Sequence, residues 1–206
     1  MRNYSFNIRN RKIGVLFICV SLFFGCNQRD FKESTRDHLQ SEYTHRMIMS
    51  KKRLTEDNYK PVFTQEFVLA DVNINPDNPR RFYNYSGDLS GRYIECLSAF
   101  CNNEKCGYLD KIVEDALLYQ QDDGRFGDQK LVFTEEYIDK EHTALLWGNG
   151  RLLTGLLEYY KYNPKSEILH AAKKIGNFFL TTYDQVTPEV VKRLEGLGAA
   201  GVICFT

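Results

Sequence analysis

The chain has 206 residues, of which 43% are hydrophobic and 26% are charged, and its 27 basic side chains balance 27 acidic ones. This length and composition are typical of a globular protein with one or two domains. A chain with zero net charge has no overall attraction for a phosphate backbone, which argues against a nucleic-acid-binding protein. Its 13 tyrosines and 14 phenylalanines supply rings that pack, and the tyrosine hydroxyls can also bond a polar ligand such as a sugar.

Residues 1–26 form a distinct amino-terminal segment. Basic side chains precede an apolar run from Ile13 to Gly25, which is too short for a permanent membrane-spanning helix. Cys26 follows in a pattern that resembles the bacterial lipoprotein cleavage box, whose cysteine is lipidated and becomes the new amino terminus. We therefore expect a lipid-anchored protein of the cell envelope, periplasmic or on the outer-membrane surface. An uncleaved anchor or a plain signal peptide are the alternatives.

Three further cysteines lie close together in the chain. Cys101 and Cys106 could form a disulfide across a short turn in an oxidising compartment, or remain buried thiols. A zinc site that also uses Cys96 is a third interpretation, although the spacing matches no standard zinc signature. The sequence favours the first two interpretations and predicts no metal site.

Residues 27–60 are rich in charge and are predicted to form a tether, with a solvated outer helix from His38 to Leu54. Residues 61–206 form the principal domain. At its start, the β-branched and aromatic residues from Val62 to Ile74 predict a short extended segment, and the prolines of Asn75–Pro79 predict a loop.

The apolar pattern beyond residue 87 is helical. Spacings of three and four residues predict amphipathic helices from Leu109 to Leu117 and from Ile168 to Phe179. Between them, Leu152 to Tyr160 is apolar around most of its circumference, which predicts a helix buried on more than one side. Thr187 and Pro188 predict another helix start, with threonine as the cap and proline at the first helical position.

Glycine-rich segments precede the more buried helices. They are Gly87–Arg92, Trp147–Arg151 and Gly196–Gly201, and they recur about every 50 to 60 residues. Each repeat pairs an inner helix with an amphipathic outer one, which indicates an α/α array. Because the chain ends within the third inner helix, we expect an incomplete array.

Gly87–Phe100, Gln120–Asp128, His142 and Trp147–Phe179 resemble the β-L-arabinofuranosidase family of glycoside hydrolases. The resemblance covers roughly residues 60–206. It implies an all-α fold, an incomplete (α/α)6 barrel of two to three helical hairpins after a short extended segment. A complete barrel at this spacing needs roughly 300 residues or more, so the resemblance also implies an amino-terminal fragment.

The family's cysteine nucleophile, glutamate and cysteine-bound zinc belong to the later barrel. The resemblance therefore implies no catalytic residue and no cofactor in this chain, and zinc only in a full-length protein. The inner helices of an α/α barrel begin around one mouth, where polar side chains are natural sugar ligands. The candidate ligands are His142, Trp147, Asp88, Arg92, Asn149, Arg151, Asp123 and Arg125.

The candidate ligands are chosen for the chemistry by which each could bind a sugar. Asp88 and Arg92 can hold adjacent hydroxyls, Trp147 can stack on a sugar face, and His142 can donate or carry a proton. The structural alternatives are a helix cap for Asp88 that pairs with Arg92, a core position for Trp147, a capping role for His142 and turn chemistry for Asp123.

The expected function is glycoside hydrolysis of envelope-accessible glycans by acid-assisted cleavage, with this chain as an inactive fragment. The expected partners are an oligosaccharide or polysaccharide and, through the lipid anchor, the membrane, but no nucleic acid. A non-catalytic helical solenoid lipoprotein that binds glycan or protein is one alternative. Another (α/α)6 sugar enzyme, such as an epimerase or an unsaturated uronyl hydrolase, is a further one.

Overall fold

The computed structural model describes residues 36–56, 60–73, 85–101 and 106–196. The signal segment with Cys26, the first part of the tether, the Asn75–Pro79 loop and nearly all of the third glycine-rich segment lie outside these residues. Of the helices in the described ranges, none combines the length and the apolar character needed to cross a membrane.

The chain divides into two compact units between Arg53 and Leu54, a few residues before the predicted start of the principal domain. Helix α1, residues 36–55, supplies the described part of the first unit and extends just past that boundary. Almost all of its side chains are exposed. The predicted solvated helix from His38 to Leu54 is therefore confirmed.

The described regular elements of the second unit are all helices, which confirms the predicted all-α class. In chain order they are α2 (Gln65–Leu69), α3 (Asp88–Phe100), α4 (Gly107–Leu117), α5 (Lys140–Tyr162), α6 (Ser166–Gln185) and α7 (Pro188–Gly196). Closure into a barrel stays a prediction.

The predicted extended segment from Val62 to Ile74 is wrong, because its described part contains helix α2 and a following turn. The Thr64 hydroxyl starts the helix by accepting a hydrogen bond from the amide of Phe67 at 3.2 Å. Val68, Leu69 and Val72 then face the core together. The β-branched side chains of Val68 and Val72 therefore pack on one side of a helical segment instead of in a strand.

Helices α3 and α5 run parallel and touch through their backbones. Gly87, at the start of α3, lies against Gly148, and Gly91 lies against Gly155, one turn further along α3 and two turns further along α5. A Cβ atom on Gly91 would lie 2.5 Å from the carbonyl oxygen of Arg151, so a larger residue cannot fit there without movement. The glycine-rich segments of the sequence thus mark the contact between two inner helices.

Helices α4 and α6 form the outer layer. The predicted apolar stripes are buried as expected, with Leu109 and Ile112 on α4 and Ile168 and Ile175 on α6. The start of α4 lies near the end of α5, since the amide of Cys106 donates to the Tyr162 hydroxyl at 3.3 Å. After α4 the chain returns to the start of α3, where Gly127 lies against Ser86, and Phe178 late in α6 packs in one cluster with Leu145 early in α5. Each outer helix therefore runs antiparallel to its inner partner, and α3–α4 and α5–α6 are two helical hairpins.

Helix α5 begins at Lys140, so the prediction that Trp147 opens this helix is wrong. Asp139 caps it, because its Oδ1 accepts a hydrogen bond from the amide of Glu141 at 2.8 Å. Trp147 lies seven residues inside α5, about 10 Å from its start at 1.5 Å per residue. The prediction that this helix is buried on more than one side is confirmed, because α5 packs against both α3 and α6, while Leu157 is 39% exposed.

Helix α7 follows the predicted start at Thr187 and Pro188. The Thr187 hydroxyl accepts a hydrogen bond from the amide of Val190 at 3.3 Å, which confirms the predicted cap. Val190 and Leu194 then pack in a second apolar cluster with Leu146 of α5. This cluster adds a further buried layer beside the two hairpins.

Candidate functional site

Four of the eight candidate ligands meet in one cluster on α3 and α5. The indole Nε1 of Trp147 donates to Asp88 Oδ1 at 2.8 Å, and Arg92 Nε donates to the same oxygen at 3.0 Å. The Arg151 guanidinium lies over the Trp147 ring, 5.1 Å from its centroid. We call these four residues the Asp88–Trp147 cluster.

The Asp88–Trp147 cluster is accessible to solvent. The side chains of Asp88 and Arg92 are 29% and 50% exposed, and those of Trp147 and Arg151 are half-buried. The Asp88 carboxylate accepts hydrogen bonds from the Trp147 indole and from the Arg92 guanidinium. The described contact of the Arg151 guanidinium is with the Trp147 ring. An aromatic ring beside a carboxylate and two guanidinium groups can contact a sugar face and its hydroxyls at the same time.

Asp71 is an acidic residue near this cluster that the sequence reasoning missed. Its carboxylate accepts hydrogen bonds from the amides of Leu89 at 2.7 Å and Ser90 at 3.1 Å. These are amides of the first turn of α3, so Asp71 caps that helix from the turn after α2. The only sequence signal is an acidic residue directly before Val72 in an apolar stretch. The first amides of α3 thus bind Asp71 rather than an external ligand.

Asn149 lies beneath the surface rather than at a mouth. Its side chain is fully buried, with Oδ1 accepting from the Phe126 amide at 2.8 Å. Its Nδ2 donates to the carbonyl oxygens of Phe126 at 2.8 Å and Leu145 at 2.9 Å. Asn149 therefore attaches the loop around Phe126 to helix α5, and this bonding satisfies the buried backbone groups of that residue.

Asp123 and Arg125 form a separate ion pair in the turn after α4. Arg125 Nε lies 2.6 Å from Asp123 Oδ2, and its NH1 donates to the carbonyl oxygen of Leu131 at 2.8 Å. The guanidinium also lies 4.8 Å from the centroid of the Phe178 ring. Asp123 is the more exposed partner of the two, whereas Arg125 holds the loop against α6.

The same turn docks against α6 through its other residues. Gln120 Nε2 donates to the carbonyl oxygens of Gly124 and Ala171, both at 2.9 Å. Gly124 has a positive φ of 98° and lies directly against the backbone of Lys174, where a side chain would overlap. The glycine-containing turn thus serves docking as well as chain reversal.

His142 is buried in the first turn of α5 and does not precede the helix as predicted. A carbonyl oxygen can only accept, so Nε2 carries the hydrogen that binds the Val132 carbonyl at 2.9 Å. In the neutral ring, Nδ1 accepts from the Asp139 amide at 3.2 Å, which completes a capping box. Both ring nitrogens are therefore bonded within the chain.

When both ring nitrogens of His142 carry a hydrogen, Nδ1 donates instead to the Asp139 carboxylate, whose Oδ1 lies 2.9 Å away. Desolvation acts to raise the pKa of Asp139. The hydrogen bonds from His142 and from the Glu141 amide outweigh that effect and lower the pKa below its ordinary value. The negative charge of Asp139 is therefore stabilised at the start of α5.

Cys101 and Cys106 form a disulfide, which confirms that interpretation and excludes the three-cysteine zinc site. The described residues contain no group of three or more candidate metal ligands. Cys96 is a free, exposed cysteine. Its partial burial, followed by the nearby Glu95 carboxylate, raises the pKa of its thiol despite an opposing effect of Arg92.

The structure thus brings Asp88, Arg92, Trp147 and Arg151 together and places the remaining four candidates elsewhere. No protein-family model, curated protein or solved structure matches this chain. The chemistry of the residues themselves is therefore the basis for inferring function.

Proposed function

We propose that this protein acts on carbohydrate as a glycoside hydrolase of the cell envelope, and that the Asp88–Trp147 cluster forms part of its sugar-binding surface. One observation carries the proposal. Asp88 and Trp147, which lie 59 positions apart and are both predicted sugar ligands, meet in one accessible cluster. Side chains that only filled a core would be buried, whereas Arg92 is half exposed.

The chemistry of the cluster supports a polyhydroxylated ligand. Trp147 offers an apolar ring whose edge is held in place by Asp88. The carboxylate of Asp88 can accept from one hydroxyl, and the guanidinium groups of Arg92 and Arg151 can donate to neighbouring hydroxyls. Because the four groups are already positioned by one another, little side-chain entropy is lost when a sugar binds.

The arrangement of helices also supports this proposal. Parallel inner helices with antiparallel outer partners are the construction of an (α/α)6 barrel. On that basis we propose that α3 and α5 are two of its inner helices and that the cluster lines the barrel mouth. Export as a lipoprotein through Cys26 belongs to the same proposal.

A non-catalytic glycan-binding lipoprotein is the second candidate. It is favoured by the environment of His142, whose ring is buried and bonded at both nitrogens and so has no position open to a substrate proton. Under this second proposal the cluster binds sugar without bond cleavage.

The decisive experiment measures sugar binding and sugar release separately. We expect Trp147→Phe, which removes the Nε1 donor to Asp88, and Arg151→Met to weaken L-arabinose binding by about three- to tenfold each in calorimetry. Lys173→Met, a change of an exposed cation on α6, is the control and should leave affinity unchanged. Wild-type affinity in both cluster variants would refute the cluster as the sugar site.

Release of free L-arabinose from arabinotriose by a full-length protein distinguishes the two candidates, because the resemblance places the catalytic groups in the later barrel. A hydrolase releases the monosaccharide at a rate that falls in the Trp147→Phe variant. A binding protein shows the affinity loss in that variant with no release from the wild type.

A further inference from the structure

A cleft of about 510 Å³ adjoins the start of α3, and none of the eight candidate ligands lines it. Three parts of the chain form it: the turn after α2, the turn after α4, and the loop that continues to Lys130. Its polar and aromatic lining residues are Asn73, Tyr119, Gln121, Asp128, Gln129 and Lys130. Cavities of roughly 300–1,000 Å³ are the usual size for small-molecule binding.

The cleft and the Asp88–Trp147 cluster both lie beside the start of α3. Gly127 lines the cleft and lies against Ser86, whose hydroxyl would be 2.5 Å from a Cβ placed on that glycine. Asp88 follows Ser86 by two residues, a distance of about 7 Å at most along the chain. On the other side, Val72 lines the cleft directly after Asp71, the residue that caps α3.

The lining of the cleft fits an uncharged ligand with many hydroxyls. The side chains of Asn73, Gln129 and Lys130 are exposed and make no hydrogen bond within the part of the chain that the structure describes. Amide side chains both donate and accept, as hydroxyl groups require. The charge of Lys130 is balanced by Asp128 in the same cleft, so the lining does not select an anion.

Tyr119 supplies the apolar part of this surface. Its ring packs partly against the main core while it also lines the cleft. A partly fixed ring beside free amides is a combination that recognises the face and the hydroxyls of one sugar unit.

We propose that this cleft binds a second, neutral sugar unit next to the unit held by the Asp88–Trp147 cluster. The inference rests on the proposed carbohydrate function and extends it: the ligand is an oligosaccharide of at least two units, with one unit on each side of the start of α3. The cleft then selects for chain length, because a monosaccharide fills only one of the two positions.

The test compares L-arabinose, arabinobiose and arabinotriose by calorimetry on the full chain. We expect the wild type to bind the two oligosaccharides about tenfold more tightly than the monosaccharide. The double variant Asn73→Ala with Gln129→Ala removes two exposed amides of the cleft and should abolish this gain without weakening L-arabinose binding. Asn177→Ala with Gln185→Ala removes the same residue types from the exposed surface of α6 and should retain the gain.

The outcomes separate this inference from the proposed function. Persistence of the oligosaccharide gain in the cleft variant overturns the inference, while Trp147→Phe still tests the cluster. Weakening of all three sugars by the cleft variant, with no weakening by Trp147→Phe, overturns the cluster and with it the arrangement of two neighbouring sugar positions. A wild type that binds none of the three sugars overturns both.

Discussion

Gly91 of α3 and Gly155 of α5 lie backbone to backbone, so that a Cβ atom on Gly155 would overlap the carbonyl oxygen of Gly91. Neither position has room for a side chain, because rigid helix backbone rather than a flexible group occupies the space. This close approach sets the distance between the two inner helices. It also brings Asp88 and Trp147 within hydrogen-bonding distance.

We therefore expect Gly155→Ala to lower the free energy of unfolding by about 3 kcal/mol, the upper part of the range for overpacking a close contact. Gly176→Ala on α6 is the matched control, because a Cβ there meets nothing within 4 Å. That change should be neutral or stabilising by up to about 1 kcal/mol, since alanine favours helix. Urea unfolding measures both variants, and equal midpoints for the two would contradict the close helix contact.

Asn149→Ala should destabilise the protein through the loss of buried hydrogen bonds. The variant leaves the amide and carbonyl of Phe126 without their side-chain partner, at an expected cost of about 3 kcal/mol. We also expect faster proteolysis in the loop around Phe126, measured by mass spectrometry of early fragments. Asn177→Ala, an exposed asparagine on α6, is the control. A loss of sugar affinity at wild-type stability would instead assign Asn149 to the ligand.

Reduction of the disulfide should lower stability by a moderate amount. The link closes a loop of sequence separation 5, for which the chain-entropy model predicts about 2 kcal/mol. Dithiothreitol should therefore lower the melting temperature of the wild type but not that of a Cys101→Ala, Cys106→Ala double variant. The Cys96→Ser variant should respond to the reductant like the wild type, because Cys96 is free. Identical melting of the wild type with and without reductant would argue against the link.

Asp139→Asn should reduce stability at neutral pH by an amount that fades in acid. The pKa of Asp139 is lowered in the folded state from its ordinary value of 3.8. A lowered carboxylate pKa stabilises the fold above that ordinary value, and this stabilisation is lost as pH falls through the folded-state pKa. The stability difference between wild type and variant should therefore be largest above pH 3.8 and should shrink below it.

Thr187→Ala is the control for this pH series. It removes another helix cap, but one without an ionisable group, so its stability deficit should stay constant with pH. A constant deficit for Asp139→Asn as well would show that only capping, and not charge, is involved. Urea midpoints measured from neutral pH down into acid provide the comparison.

Cys26→Ser tests export as a lipoprotein. We expect unprocessed precursor to accumulate in the bacterial host and metabolic labelling with a fatty acid to disappear, because the acyl acceptor is lost. Cys19→Ser in the apolar run is the control and should leave labelling intact. Labelling that survives Cys26→Ser would exclude this cysteine as the lipid attachment site.

Local patterns in the sequence were sufficient to predict most of the helices. The stripes at Leu109–Leu117 and Ile168–Phe179 repeat every three or four residues, and the cap at Thr187 joins residues one turn apart. Such signals depend on helical geometry alone, so they can be recognised in the sequence without knowledge of the tertiary structure. The glycines around Asn149 resemble a helix opening but serve helix packing, so the sequence pattern places the start of α5 too late.

The candidate site required the tertiary structure, because the contacts that decide it join distant parts of the chain. The sequence by itself determined an all-α chain with paired amphipathic helices and a set of polar candidates. Only the docking of α3 against α5 decided that Trp147 reaches Asp88 and that Asn149 turns inward to Phe126. Whether a helical side chain faces the core or another side chain depends on where the neighbouring helix packs. Here glycine backbone contacts determine the position of that helix.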